Sequence, residues 1–357
     1  MKDNTDASID MQDVEQIRTL VDEARRVAIV CHMTPDGDAL GSSLCLWHVM
    51  LAMGRDAVVV VPDAFPADLS FLPGADRVVV ASYNTERAES ALRGADLIFC
   101  LDFNEPSRID RLAESLSKAT APKVMIDHHL NPQEGFCKVT ISSPERSSTC
   151  LLLYLTLKAL GWEKYVGLFA SECCMTGMMT DTGNFSFNAN DADIYAVMAE
   201  LMAKGVDKNA LTKRLFDTST LRRLRIMGYA QYKCMTIYPE HRCAVIALSA
   251  DDLAEFGYKK GDTEALVNVP LSVPEIVWSV YLRESSSDYV KVSMRSKGDF
   301  SVREICANHF GGGGHLNASG GEVHGSLQDA LDRLMAVMPQ YDMYLPLPKL
   351  DKDSKIE

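Results

Sequence analysis

A chain of 357 residues exceeds the usual size of one compact core, so two unequal domains are expected, and 47% hydrophobic with 24% charged residues excludes a disordered protein. The formal charge of −13 excludes a protein that coats long DNA or RNA, because that affinity comes from neutralising many phosphates with Lys and Arg. The first twenty residues are acidic where a signal peptide needs a basic segment, and no apolar run reaches membrane-spanning length, so a cytoplasmic protein without a membrane partner is expected.

In chain order, an amphipathic stretch over 14–24 precedes a continuous apolar strand at 27–31, a turn-rich loop, and an apolar helix from about Leu40 to Met53. Short apolar runs recur at 57–61, 96–101 and 123–126, with a helical pattern between the last two. Buried strands alternating with helices imply a mostly parallel sheet covered on both faces. From Ser147 to about Tyr232 the pattern is almost wholly helical, and Met175, Met178 and Met179 within it read as packing residues. Alternating strands at 242–248, 276–283 and 289–294 mark a second, smaller α/β domain. The boundaries expected are 1–216 for the first domain, 217–233 for a linker, 234–345 for the second domain and 346–357 for a loose tail rich in proline and charge. Arg222, Arg223 and Arg225 read as a solvated helix face. The ten cysteines are scattered, have no Cys-x-x-Cys spacing, and include Cys31 and Cys100 inside strand-like runs. They read as reduced core residues, Cys173 and Cys174 among them.

Chemistry concentrates at four places. The loop after the first strand carries His32, Asp36 and Asp38, with Pro35 and Gly37 permitting a tight, irregular backbone. Asp102 ends one apolar strand, and Asp127, His128 and His129 end another. Carboxyl ends of strands line the crevice where ligands bind an open parallel sheet. Asp181 closes a long apolar segment with an unexpected carboxylate. Burying several such charges is costly unless cations or hydrogen bonds compensate them. A set of oxygens and imidazoles without thiolate favours two divalent cations, manganese first and magnesium second, over structural zinc. Two adjacent metals generate hydroxide at neutral pH and stabilise both the attacking and the leaving oxygen.

These four segments, in this order, resemble the signature of the DHH phosphoesterases, whose Asp-His-His triplet is 127–129 here. The resemblance implies that His32 and Asp36 hold one metal, that Asp38, His128 and Asp181 hold the other, and that Asp102 bridges them and is catalytic. It also implies that His129 acts on the substrate phosphate or leaving group and that Asp127 supports the site from behind.

In the second domain, Gly311 to Gly314 precede His315. Four consecutive glycines are disfavoured in a helix or strand, so close approach to a ligand is expected, with exposed N–H groups of Gly312, Gly313 and Gly314 cradling a phosphate and His315 adding a donor. The run 290–297 offers Ser293 and a forked ligand in Arg295. Together these resemble the DHHA1 domain, and the two domains resemble the NrnA-like group of stand-alone oligoribonucleases and 3′-phosphoadenosine 5′-phosphate phosphatases. The resemblance implies an active site in the interdomain cleft and hydrolysis of short oligoribonucleotides (nanoRNA) to mononucleotides, of 3′-phosphoadenosine 5′-phosphate to AMP, or of both. Two alternatives stay open, a soluble phosphodiesterase for linear dinucleotides and an inactive nucleotide-binding sensor. Substrates are short RNA or DNA oligonucleotides or small nucleotides, and a homodimer is left open.

Overall fold

The structure, a computed structural model, describes residues 9–285 and 288–345. The chain divides into two compact units, Met1–Thr218 and Ser219–Glu357.

The first unit runs α1 (Met11–Glu23), β1 (Arg26–Val30), α2 (Gly37–Ala52), β2 (Asp56–Val61), β3 (Val79–Val80), α3 (Thr85–Arg93), β4 (Leu97–Leu101), α4 (Ala113–Lys118), β5 (Lys123–Asp127), β6 (Val139–Ser142), α5 (Thr149–Ala159), α6 (Leu168–Asp181), α7 (Ala192–Ala203) and α8 (Lys208–Phe216). Among the described residues its six strands form one parallel sheet in the order β3-β2-β1-β4-β5-β6. The continuous apolar runs follow from burial on both faces: Val27 and Ile29 join the core beneath α1, α2, α5 and α6, while Ala28 and Val30 join the core beneath α3 and α4. β1 and β4 are neighbours reached by connections in opposite directions, so their carboxyl ends flank the switch point of the sheet. Met175, Met178 and Met179 are fully buried in the first of these cores.

The loop expected before Leu40 is shorter than its sequence suggests. Helix α2 starts at Gly37, because the Asp36 carboxylate accepts the N–H groups of Asp38 and Ala39 and so caps the helix. Asp38 therefore lies in a first helical turn and not in an irregular loop.

The second unit contains α9 (Leu221–Lys233), β7 (Met235–Tyr238), β8 (Cys243–Leu248), α10 (Ala250–Glu255), β9 (Trp278–Glu284), β10 (Tyr289–Ser296), α11 (Val302–His309), β11 (Gly313–His315), β12 (Ala318–His324) and α12 (Leu327–Tyr341). Its sheet has the order β11-β12-β10-β9-β8-β7, antiparallel except for the β8–β9 pair. Residues 217–233 are not a linker. They are mostly α9, whose Ile226 and Ala230 are buried against Ile246, Leu248 and Leu266 of the second unit. The arginine cluster is likewise not a solvated face, since Arg222 forks onto Asp262 at 2.6 and 3.2 Å and Arg223 donates to the Glu264 carbonyl at 2.9 Å. Only Arg225 of the three is exposed.

The glycine run also departs from expectation, for Gly313 and Gly314 are part of an edge strand. A Cβ on Gly312 would stand 1.9 Å from the Gly320 carbonyl oxygen, and one on Gly314 would stand 2.5 Å from that of Ala318. The close approach that the glycines permit is between the two arms of their own hairpin. The tail expected at 346–357 lies outside the described residues. Among those described, no helix is long and apolar enough to cross a membrane.

Candidate metal centre

His32 follows β1, Asp102 follows β4, and Asp127 to His129 end β5, so three neighbouring strands deliver their polar residues to one rim of the sheet. Asp102 adopts a left-handed backbone at φ +64°, which aspartate tolerates better than most residues and which turns the chain sharply at the strand end. Asp36 and Asp38 arrive on the amino end of α2, and Asp181 on the carboxyl end of α6.

The two helices meet closely because glycines remove the atoms between them. A Cβ on Gly37 would lie 2.4 Å from Thr180 Oγ1, and one on Gly41 would lie 2.6 Å from the Cys173 carbonyl. On the facing helix a Cβ on Gly177 would lie 2.7 Å from Asp38 Oδ1. This seam sets Asp38 and Asp181 on a common centre.

Three overlapping three-donor groups result among the described residues, one of them Asp102 with His128 and His129, and the other two the expected metal sites. In one, His32 Nε2 lies 3.4 Å from Asp102 Oδ2 and 3.8 Å from Asp36 Oδ2. In the other, His128 Nε2 lies 3.4 Å from Asp181 Oδ2 and 3.9 Å from Asp38 Oδ2. Asp102 faces both, because its Oδ1 stands 3.5 Å from His128 Nε2. The imidazole orientations are fixed from behind: His32 Nδ1 meets the Met33 carbonyl at 2.7 Å and His128 Nδ1 meets that of Arg146 at 3.2 Å, leaving both Nε2 atoms facing the carboxylates. His129 Nδ1 also lies within 3.7 Å of Asp102 Oδ1, but its stronger partner is Asp127 Oδ1 at 2.8 Å. Asp127 is wholly buried and also accepts the His129 N–H at 3.1 Å.

Sequence reasoning missed the part that the amino end of α5 plays in the site. Buried Asp38 accepts the N–H of Thr149 at 2.6 Å and that of Cys150 at 2.9 Å, and Thr149 Oγ1 donates to Asp102 Oδ1 at 2.9 Å. The short Ser-Ser-Thr run before an apolar helix was the available signal, since Ser148 caps α5.

The electrostatics are those of a site built for cations. Burial, then the charges of Asp38, Asp102 and Asp36, push the Asp181 carboxyl up to about 9. Burial and Asp102 likewise raise Asp38 well above the carboxylate range. Asp102 is held low against its burial by His32 and then by His128 and His129. Burial opposes charge on His32, yet the hydrogen bond and charge of Asp102 carry it up to about 9. Protons thus stand in for positive charge among four converging carboxylates. Divalent cations fit the donors, which are hard oxygens and imidazole nitrogens without thiolate.

The DHH family, N-terminal domain, matches residues 26–205, and the DHHA1 domain matches residues 243–341. The chain belongs to the DHH family. It is accordingly a hydrolase of phosphate esters, with a candidate divalent-metal site of aspartates and histidines. The bifunctional oligoribonuclease and PAP phosphatase NrnA of Thermus thermophilus is 32% identical over 87% of this chain and 88% of its own length. The cyclic-di-AMP phosphodiesterase GdpP of Bacillus subtilis is 24% identical over 91% of this chain, which spans about half of that protein (49%). A crystal structure of an exopolyphosphatase-related protein from Bacteroides fragilis superposes with a TM-score of 0.85 at 38% identity, covering 94% of this chain and 98% of that one.

In the DHHA1 unit, Arg295, Ser293, His315 and Gly313 share one sheet face, and Gly314 lies in line with Ser319 on the other. Opposed residues of paired strands point the same way. Arg295 on β10 is registered with Ala318 on β12, and Ala318 with His315 on β11. Ser293 is likewise in line with Gly320 and Gly313. Arg295 and His315 are therefore two strand spacings apart, about 9–10 Å. Sequence reasoning missed Lys291 on the same face and its opposed partner Arg283 on β9. Both line a cavity with Arg295 and Ser293. Period-two spacing from Lys291 to Ser293 to Arg295 was the signal for the first of these.

Proposed function

We propose that this chain hydrolyses a phosphoester bond in oligoribonucleotides of a few residues and in 3′-phosphoadenosine 5′-phosphate, releasing a mononucleotide. The observation that carries the reading is the pair of three-donor groups that meet at Asp102. His32, Asp36 and Asp102 would hold one divalent cation, and Asp38, His128 and Asp181, with Asp102 shared, the other; manganese is the proposed ion. Bound there, the cations supply Lewis acidity to a phosphoryl oxygen and lower the pKa of water.

The rest of the work falls to the chain. The N–H groups of Thr149 and Cys150 keep the Asp38 carboxylate turned inward. Asp127 holds His129 by Nδ1 and raises its pKa, so Nε2 is the atom that presents a proton to a phosphate oxygen or a leaving group. Arg295, Ser293 and His315 would recognise the phosphates and sugar of the substrate, whereas the Gly312 N–H is donated to the Cys306 carbonyl at 3.2 Å. The formal net charge of −13 supports a short substrate. Ten free cysteines support a cytoplasmic location.

A second reading, hydrolysis of linear dinucleotides derived from cyclic signalling molecules, is favoured by the likeness to the cyclic-di-AMP phosphodiesterase. The test is a manganese-supported panel of pApA, short RNA and 3′-phosphoadenosine 5′-phosphate with product identification. Turnover of the last two with comparable kcat/KM supports the first reading, and turnover of pApA alone the second. Failure of the metal-loaded protein on all of them refutes both. Asp102→Ala is expected to lose at least about 10³-fold in kcat, on the order of magnitude seen when a transition-state electrostatic group is lost.

A further inference from the structure

A cavity of about 660 Å³ opens beside His128, within the first unit. That volume is in the range that holds a small organic ligand. Its lining is unlike the charged centre it adjoins. The carboxamides of Asn188 and Asn190 lie on one stretch of its wall, both exposed, and Pro144 offers a flat apolar surface. Ser147 also lines it; this residue is 5% exposed and its buried Oγ has no hydrogen-bond partner within the protein. That hydroxyl is turned into the protein, so the polar groups offered to the cavity are the two carboxamides.

The charges argue against a second phosphate here. The only cation on this wall among the described residues is Arg146, and its guanidinium is clamped by Asp191 and by Asp193, the latter at 2.8 Å. Asp191 and Glu145 line the same wall. A dianion entering this cavity would face carboxylates whose single counter-charge is already engaged. A neutral ring with hydrogen-bonding edges meets no such penalty. A carboxamide also pairs bidentately with an edge that presents adjacent donor and acceptor, as adenine does at N6 and N7.

We propose that this cavity is the subsite for the nucleoside next to the scissile phosphate, with Asn188 and Asn190 reading the base edge and Pro144 supporting the ring. This rests on the reading of the chain as a nucleotide phosphoesterase. It predicts a preference for nucleotides over inorganic polyphosphate, because one side of the metal centre takes a neutral heterocycle and disfavours a further anion. His128 links the two, since it borders the cavity and contributes to the three-donor group with Asp38 and Asp181.

The test uses the full chain loaded with Mn2+ and the variant Asn188→Ala/Asn190→Ala, both exposed positions whose replacement leaves the core intact. Calorimetric titration with AMP and with ribose 5-phosphate is compared with titration of the metal-free proteins with Mn2+. The wild-type protein is expected to prefer AMP, and the variant to lose tenfold or more in AMP affinity, erasing that preference, with Mn2+ binding unchanged within twofold. The proposal is overturned by a wild type without preference for AMP, by a variant that binds AMP as before, or by AMP and Mn2+ binding that weaken together. Hydrolysis of pApA and 3′-phosphoadenosine 5′-phosphate by the wild type, run in parallel, tests the underlying function separately, because AMP binding does not require turnover.

Discussion

Gly177→Ala separates helix propensity from site geometry. On propensity alone, alanine inside α6 would stabilise the helix by about 1 kcal/mol. The tertiary contacts oppose this, because the new Cβ would meet Cys150 Sγ at 2.3 Å, Asp38 Oδ1 at 2.7 Å and the Asp38 Cα at 3.0 Å. Real Cβ contacts stop near 3.0 Å, so the thiol must retreat by about 0.7 Å and the carboxylate oxygen by about 0.3 Å. Both groups are wholly buried, and Asp38 is tied to the amino end of α5, so neither has room to yield. Overpacking of this kind costs about 1–3 kcal/mol, and for a domain of this size each kcal/mol lowers Tm by about 2–4 °C. A net fall of about 5 °C is expected by calorimetry, with Mn2+ affinity down about tenfold or more and kcat/KM on a short nucleotide down about 10²-fold, as misplacement of a catalytic group predicts. Adding Cys150→Ala removes the worst clash, so the double variant should recover part of the Tm while its Mn2+ affinity stays low, because the Asp38 contact persists. A single variant with unchanged Tm and unchanged Mn2+ affinity would show that the glycine seam does not position Asp38.

Three further outcomes follow from the geometry. In Asp127→Asn the imidazole of His129 loses the partner that raises its pKa, so the alkaline limb of the kcat profile moves to lower pH; a limb that stays in place separates His129 from the proton transfer. In the metal-free protein, carboxyls with folded-state pKa values above their unfolded ones stabilise fully only below about pH 4 and lose that contribution as pH rises toward 9, the value to which Asp181 is pushed. Metal-free protein should therefore melt lower at pH 9 than at pH 6, while Mn2+ binds more tightly at pH 9 and releases protons. Calorimetry in buffers of different ionisation enthalpy reads the proton count, and no proton release would contradict protonated Asp38 and Asp181. Gly312→Ala forces a Cβ to 1.9 Å from the Gly320 carbonyl and should detach β11 with His315; KM is expected to rise while Tm changes little, since these are exposed edge residues.

The amino-acid sequence by itself determined the alternation of buried strands and helices in the first unit, because strands buried on both faces must be continuously apolar. It also placed His32, Asp102 and the Asp127–His129 triplet at strand ends, since a polar residue that closes such a run has nowhere else to stand. The start of α2 at Gly37 depended on a cap made by the Asp36 side chain, which the local pattern does not distinguish from a turn. What only the tertiary structure decided involves partners distant in the chain. Gly177 matters because Asp38 and Cys150 press against it, Arg222 is held by Asp262, and the glycines before His315 face the other arm of their hairpin. Asn188 and Asn190 look like ordinary loop residues until folding sets them on the wall of a cavity with Ser147 and His128. A short run of sequence records what a residue can donate, accept or bury; which group it meets depends on how α2, α5, α6 and the strand ends pack.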